Sequence, residues 1–456
     1  MKKKTFFIIA LFIFFIFGST SIIYSDNNFF FNLKKKIPTS IKDPIKKIFY
    51  FSIVSRENKN LKNEISDNNK KINKLNEKIA ALESEIFTGK KSSEEIIKLN
   101  DLNFNLKKIF IPYANFVNGK NIKSGYLSIY KDNVIATLWS GKIISIKIDN
   151  LTKEISKINN VQSNLSGFLK QKDRFISVKD TLIINQTLYV SYTKVIDVDN
   201  CLNISILKAD LTNINFFNFE EFFTYNDCLK GRFGGYQAGG RLEEFKDNKI
   251  ILSTGDFQNF GPSQELDNNF GKIISIDLIN KESKILSMGH RNPQGLFYLK
   301  DIDTLISTEH GQRGGDEINK ILINETKVPN YGWPISSYSD YYGYEDYEIR
   351  KKAPFHKSHS KYGFEEPIGY FTPSWGISQV IDAKNFKKSF NDKTLMVTSL
   401  KNKNIYFLEF NKNFTKIINQ KEINIGERIR DIIKLENDKY LLFLEDTPAI
   451  AILSIS

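Results

Sequence analysis

The apolar positions of the chain fall into three successive patterns. From Thr5 to Tyr24 they are nearly continuous, about 20 residues, enough for one helix across a bilayer. Lys2, Lys3 and Lys4 precede this run, which keeps that end cytoplasmic and predicts export of everything after Tyr24. Gly18-Ser19-Thr20-Ser21 would make only a weak cleavage site, so an uncleaved signal anchor over 1–25 is expected. A Lys- and Phe-rich linker over 26–55 follows, with Pro38 and Pro44.

The second pattern has a heptad period over 56–88. Ile65, Ile72, Ile79 and Ile86 occupy one core position and Leu61, Leu75 and Leu82 the other, with Asn68 interrupting the Leu series. Ile at a with Leu at d favours a parallel two-stranded coiled coil, and a core Asn fixes register. A homodimer joined by this helix is expected, the alternative being one amphipathic helix packed on its own domain.

The third pattern runs over 110–456, where short β-branched and aromatic runs alternate with Gly, Asn and Asp clusters. Asn133–Trp139, Lys249–Thr254, Thr304–Thr308, Thr394–Ser399 and Tyr440–Leu444 read as strands, and Gly-Lys-Ile-Ile-Ser-Ile occurs at both 141–146 and 271–276. An all-β region with recurring strand units predicts a β-propeller, in which radially packed blades protect their edges. Spacing alone leaves six long or eight short blades open.

Composition changes this picture little. The 456 residues are 41% hydrophobic and 26% charged, as in an ordinary globular protein. The net charge of +13 comes from Lys scattered among acidic residues, without an Arg-rich helix, so no nucleic-acid partner is expected. Cys201 and Cys228 lie in the exported part, where a bridge is favoured over two free thiols.

Candidate chemistry is densest between Gly289 and Pro334: Gly-His-Arg-Asn-Pro-Gln-Gly-Leu at 289–296, Glu-His-Gly-Gln-Arg-Gly-Gly-Asp-Glu-Ile-Asn at 309–319, and Asn-Tyr-Gly-Trp-Pro at 330–334. These are Gly-rich turns that present polar side chains and carbonyls, and Asp316 and Glu317 among them suit a hard cation such as Ca²⁺. Five Tyr within Tyr338–Tyr347 could form a lid over a sugar or simply cover neighbouring strands.

Together with Gly239-Gly240-Arg241-Leu242, Ser253-Thr254-Gly255-Asp256, Ser399-Leu400-Lys401 and Arg428-Ile429-Arg430-Asp431, these segments resemble the glucose/sorbosone dehydrogenase family from about 126 to the C-terminus. The resemblance implies a six-bladed propeller with pyrroloquinoline quinone (PQQ) over its central channel, oxidising a sugar or related alcohol; the N-terminal anchor would place it on the periplasmic, extracytoplasmic side of the membrane. It implies that Lys401, Arg428 and Arg430 meet the carboxylates and quinone oxygens of PQQ, chemistry that guanidinium groups suit. Asn292 matches a cofactor contact, and Arg291 matches the group that stabilises charge on the reduced quinone. Pocket-lining His310 is expected to have a structural or cofactor-contacting role, the alternative being a displaced base. The carbonyls of Gly311 and Gln312 match those that hold Ca²⁺.

One position departs from the family's pattern. Its general base is a His four residues before the Arg of Gly-Arg-Leu; here that residue is Gln237, while Asp256, which matches the residue orienting that His, is retained. A neutral amide does not accept a proton near neutral pH as His does. A dehydrogenase with weakened proton chemistry is therefore expected, the alternative being a non-catalytic propeller that binds a saccharide or protein.

Overall fold

The structure is a computed structural model and describes residues 57–72, 75, 93–111, 116–117, 120–121, 124–151, 158–169, 175–196, 201–230, 234–324, 326–340 and 356–455. The predicted span at 5–24, the linker, heptad positions Ile79, Leu82 and Ile86, and most of the Tyr-rich segment lie outside the described residues. Among those residues, no helix is long and apolar enough to cross a membrane. The chain divides into two compact units, Met1–Glu77 and Lys78–Ser456. In the first, residues 57–72 are helical. Its heptad residues are open to solvent: Leu61, Ile65, Ile72 and Leu75 are each more than half exposed.

The second unit is a six-bladed β-propeller. Its first five blades follow in chain order, opening with Gly125–Tyr130, Val178–Ile184, Gly239–Phe245, Pro293–Leu299 and Ile377–Asp382. Each opening strand lies innermost and packs against the opening strands of its neighbours, closing a ring. The sixth blade is Ile429–Leu435, Lys439–Leu444 and Ala449–Ile455, completed by Leu102–Phe110 and Ser93–Leu99 from the start of the domain. Leu102–Phe110 runs antiparallel to the last strand, with Phe104 opposite Ile455. The propeller thus begins at Ser93 rather than at the expected 110, and this pairing ties its two ends into one blade, with Ser93–Leu99 as the exposed outer strand.

Burial explains why the middle strands read as unbroken apolar runs. In Lys249–Thr254 every residue after the first is buried, because a blade is covered on both faces by its neighbours. The outermost strand Ile417–Asn424 is mostly exposed and accordingly polar. The expected bridge between Cys201 and Cys228 is formed, with Cα atoms 5.3 Å apart. It ties the Cys201–Asp210 strand to Leu229–Lys230, which pairs with its first residues.

The propeller axis is polar. Arg241, from the third blade, is almost fully buried and donates to Asp180 Oδ1 (3.1 Å) in the second blade and Asp431 Oδ1 (3.0 Å) in the sixth. It also reaches the carbonyls of Gln294 (2.6 Å) and Arg430 (2.8 Å) and lies over the Tyr126 ring. Asp431 accepts from Leu127 N in the first blade and Asp180 from Leu242 N, each at 2.8 Å. One guanidinium thereby links five of the six inner strands, with every charged atom paired as burial requires.

Candidate functional site

A cavity of about 640 Å³ opens at the N-terminal ends of the inner strands, directly over this network. One wall is aromatic, with Tyr126, Trp139, Phe175 and Tyr236. Its polar lining includes Lys179, Asn292, Gln294, His310, Arg428, Arg430, Glu445 and Asp446. Concave, part-aromatic cavities with a few converging polar groups are where small ligands bind.

Gln237 forms part of the floor. Its backbone is left-handed, with φ 58°, and Gly255 approaches so closely that an added Cβ would stand 1.9 Å from the Gln237 carbonyl oxygen. Only glycine fits there, and this approach brings the next residue, Asp256, against the Gln237 side chain. Hydrogen bonding assigns the amide orientation: Nε2 donates to Asp256 Oδ1 (2.9 Å) and Oε1 accepts from Arg291 Nη2 (2.6 Å). Gln237 therefore spans Asp256 and Arg291. Asp256 also accepts from Trp333 Nε1 and from Gln258 N, both at 2.8 Å. Burial pushes its carboxyl up to about 7, against the opposing pull of Arg291 and these donors.

Arg291 is held at both Nη atoms and across its guanidinium face, while its buried Nε has no partner among the described residues. Its Nη1 donates to the carbonyls of His310 (3.0 Å) and Gly311 (2.7 Å), and its guanidinium lies over the Trp333 ring. Its backbone N–H donates to Glu309, whose other oxygen accepts from His290 Nδ1 (2.9 Å), and Ser287 Oγ lies 2.8 Å from His290 Nε2. This Ser–His–Glu relay is buried and serves to hold the Arg291 backbone. His310 lines the cavity; its Nε2 donates to the Ile377 carbonyl, which leaves Nδ1 as an acceptor 3.5 Å from Asn292 Nδ2. Burial lowers the His310 value, so the ring is neutral at pH 7.

Arg428 and Arg430 face the cavity from one strand edge, as their spacing predicts, but between them lies a carboxylate that the motifs did not reveal. Glu445 accepts from Arg428 Nε (2.9 Å) and Arg430 Nε (2.7 Å). Burial pushes its carboxyl up, yet the two guanidinium groups outweigh that and hold it below its usual value. Arg430 also donates to Gln294 Oε1 (3.0 Å) and Arg428 to the Leu400 carbonyl (3.3 Å). Leu400 lines the cavity, whereas Lys401 is exposed and does not.

Asp316 and Glu317 do not face a common point. Asp316 spends its oxygens on Gly311 N (3.2 Å), Ser374 Oγ (2.7 Å), Gly376 N (2.6 Å) and Ile377 N (3.2 Å), fixing the turn that carries Gly311 and Gln312. Glu317, next along the strand, faces His359 at 3.3 Å, because successive side chains alternate between faces. No group of three His, Cys, Asp or Glu able to hold a metal ion occurs among the described residues. Any cation at this turn would depend on the carbonyls of Gly311 and Gln312.

Comparison with known proteins bears on the family and the fold. The chain is 27% identical over 289 residues to the aldose sugar dehydrogenase YliI of Escherichia coli, covering 60% of this chain and 73% of that protein. It is 31% identical over 224 residues to an uncharacterized protein of Synechocystis, covering 44% of this chain and only about half, 51%, of that protein. The PQQ-bound aldose sugar dehydrogenase of Streptomyces coelicolor shares the fold, with a TM-score of 0.55 at 15% identity over 77% of this chain and 98% of that one. The family model described as glucose/sorbosone dehydrogenase matches residues 126–454, and the chain belongs to that family.

Proposed function

We propose that this chain is an exported, membrane-anchored sugar dehydrogenase-like propeller whose axial cavity takes PQQ together with a sugar or related alcohol, and whose proton-accepting step is impaired by Gln237. The cavity's size, Asn292 and His310 suit a quinone, and Arg428 and Arg430 turn guanidinium groups toward its carboxylates, although they share their charge with Glu445. Lys401 would have to swing in from its exposed position, and Ca²⁺ would rest on the Gln312 carbonyl and on that of Gly311, where it would have to displace or share the Arg291 contact. When bound, PQQ supplies the ortho-quinone that accepts the substrate's electrons. Arg291 is held where it can favour negative charge beside Asn292. Gln237 offers a substrate hydroxyl no basic atom, since its amide oxygen already accepts from Arg291. Export and anchoring rest on the apolar run at 5–24, and self-association on the exposed heptad residues.

The Gln237 bridge between Asp256 and Arg291 carries this reading. It also favours a second one, a propeller that binds its saccharide without turnover. Reconstitution of the full chain with PQQ and Ca²⁺, followed by dye-linked sugar oxidation, tests both. Gln237→His should gain about 10²–10⁴-fold over the parent, the usual worth of a general base. Equal rates in parent and variant would show that Gln237 is not the deficit. Failure of both to bind PQQ would leave the saccharide-binding reading.

A further inference from the structure

The two guanidinium groups that face the cavity from the sixth blade are not waiting for an anion: a carboxylate of the chain already lies between them. Glu445 follows the strand Lys439–Leu444, its side chain is 10% exposed, and its oxygens are shared between the Nε atoms of Arg428 and Arg430. Its backbone N–H donates to the Arg428 carbonyl (2.9 Å), which fixes it in place. Asp446 adds a second carboxylate, accepting from Arg428 N (3.1 Å) and Lys403 Nζ (2.9 Å). On the neighbouring inner strands Arg241 is matched by Asp180 and Asp431. The charge of the three arginines facing the cavity is therefore largely matched by carboxylates, while Lys179 on the second blade adds a cation whose ammonium donates to the Phe175 carbonyl (2.8 Å).

We propose that Glu445 is a specificity-determining residue that shares the carboxylate seat of the Arg428–Arg430 pair, so that the native cavity holds multiply charged anions, PQQ included, less tightly than the bare pair would, while neutral, hydroxyl-bearing ligands are unaffected. The inference rests on the axial cavity being the ligand site, as argued above. The physics is direct. A ligand carboxylate drawn to the same two guanidinium groups would stand within several ångströms of the Glu445 carboxylate; at an effective dielectric of about 20 such a repulsion is worth on the order of ten- to a hundredfold in affinity. A hydroxyl-bearing ligand meets no such penalty and finds acceptors as well as donors on the same wall. Removing the charge of Glu445 while keeping its shape should open the seat to anions.

Calorimetric titration of the full chain and of Glu445→Gln with PQQ, with citrate as an unrelated tricarboxylate, and with glucose as a neutral probe tests this. The variant should bind PQQ and citrate ten- to a hundredfold tighter than the parent, with a steeper loss on adding salt, and glucose equally well. If Glu445→Gln does not fold, Glu445→Ser, which also removes the charge, carries the same expectation. Anion affinity that is unchanged or weaker in the variant would overturn the proposal and make Glu445 a brace that aligns the two arginines. Absence of any anion binding in both proteins would overturn it too. Tighter citrate binding without PQQ binding in either protein would sustain this inference while removing PQQ from the proposed function.

Discussion

Replacing Arg241 with Met should destabilise the propeller more than any other single change on its axis. The substitution keeps much of the side-chain volume and removes the charge, leaving Asp180 and Asp431 buried without their shared cation, and the carbonyls of Gln294 and Arg430 without a donor. Removing one partner of a buried ion pair typically costs about 3–5 kcal/mol, a large part of the roughly 5–15 kcal/mol by which domains are stable. The loss should depend on pH. Burial pushes the Asp180 carboxyl up to about 7, with Arg241 pulling against it. A carboxyl raised in the folded state above its unfolded value of about 4 contributes stability in full below that lower value and loses it as pH rises through the folded one. Without Arg241 the folded value moves higher still, so the deficit should be greatest near pH 8 and shrink toward about pH 5. Urea unfolding of the full chain at several pH values measures this. Adding Asp180→Asn and Asp431→Asn to Arg241→Met removes the uncompensated charges and keeps an oxygen for Leu127 N and Leu242 N, so most of the loss should return. A deficit below about 1 kcal/mol, or one that the two Asn substitutions do not relieve, would refute the assignment of Arg241 as the axial tie.

Two further outcomes follow from local features. The Cys201–Cys228 bridge spans a sequence separation of 27, so Cys201→Ser with Cys228→Ser should cost about 3.5 kcal/mol on the chain-entropy account and make unfolding insensitive to reductant; denaturation with and without reductant checks both. Introducing Lys at Ile65 and Ile72, two half-exposed heptad residues, should convert a dimer into a monomer by placing charges in the a-position seam, which light scattering of the detergent-solubilised full chain would read; a monomeric parent would count against the coiled coil.

The all-β character of the domain and most of its strands were legible along the chain, because period, β-branched content and turn residues are local properties. Its motifs also picked out residues that converge: Gln237, Asn292, His310, Arg428 and Arg430 all line one cavity, and Asp256 and Arg291 meet beneath it. Closure of the ring was decided only by tertiary structure, since Leu102–Phe110 finds its partner in the last strand of the chain. Partnership was decided the same way. Asp316 and Glu317 suggested a cation site as neighbours in sequence, yet strand alternation separates them and backbone amides some 60 residues away consume Asp316. Arg428 and Arg430 promised an anion seat until the fold brought Glu445 between them. Residue types state which charges are available; only the packed structure states which are already neutralised, because that depends on distance and burial rather than on order along the chain.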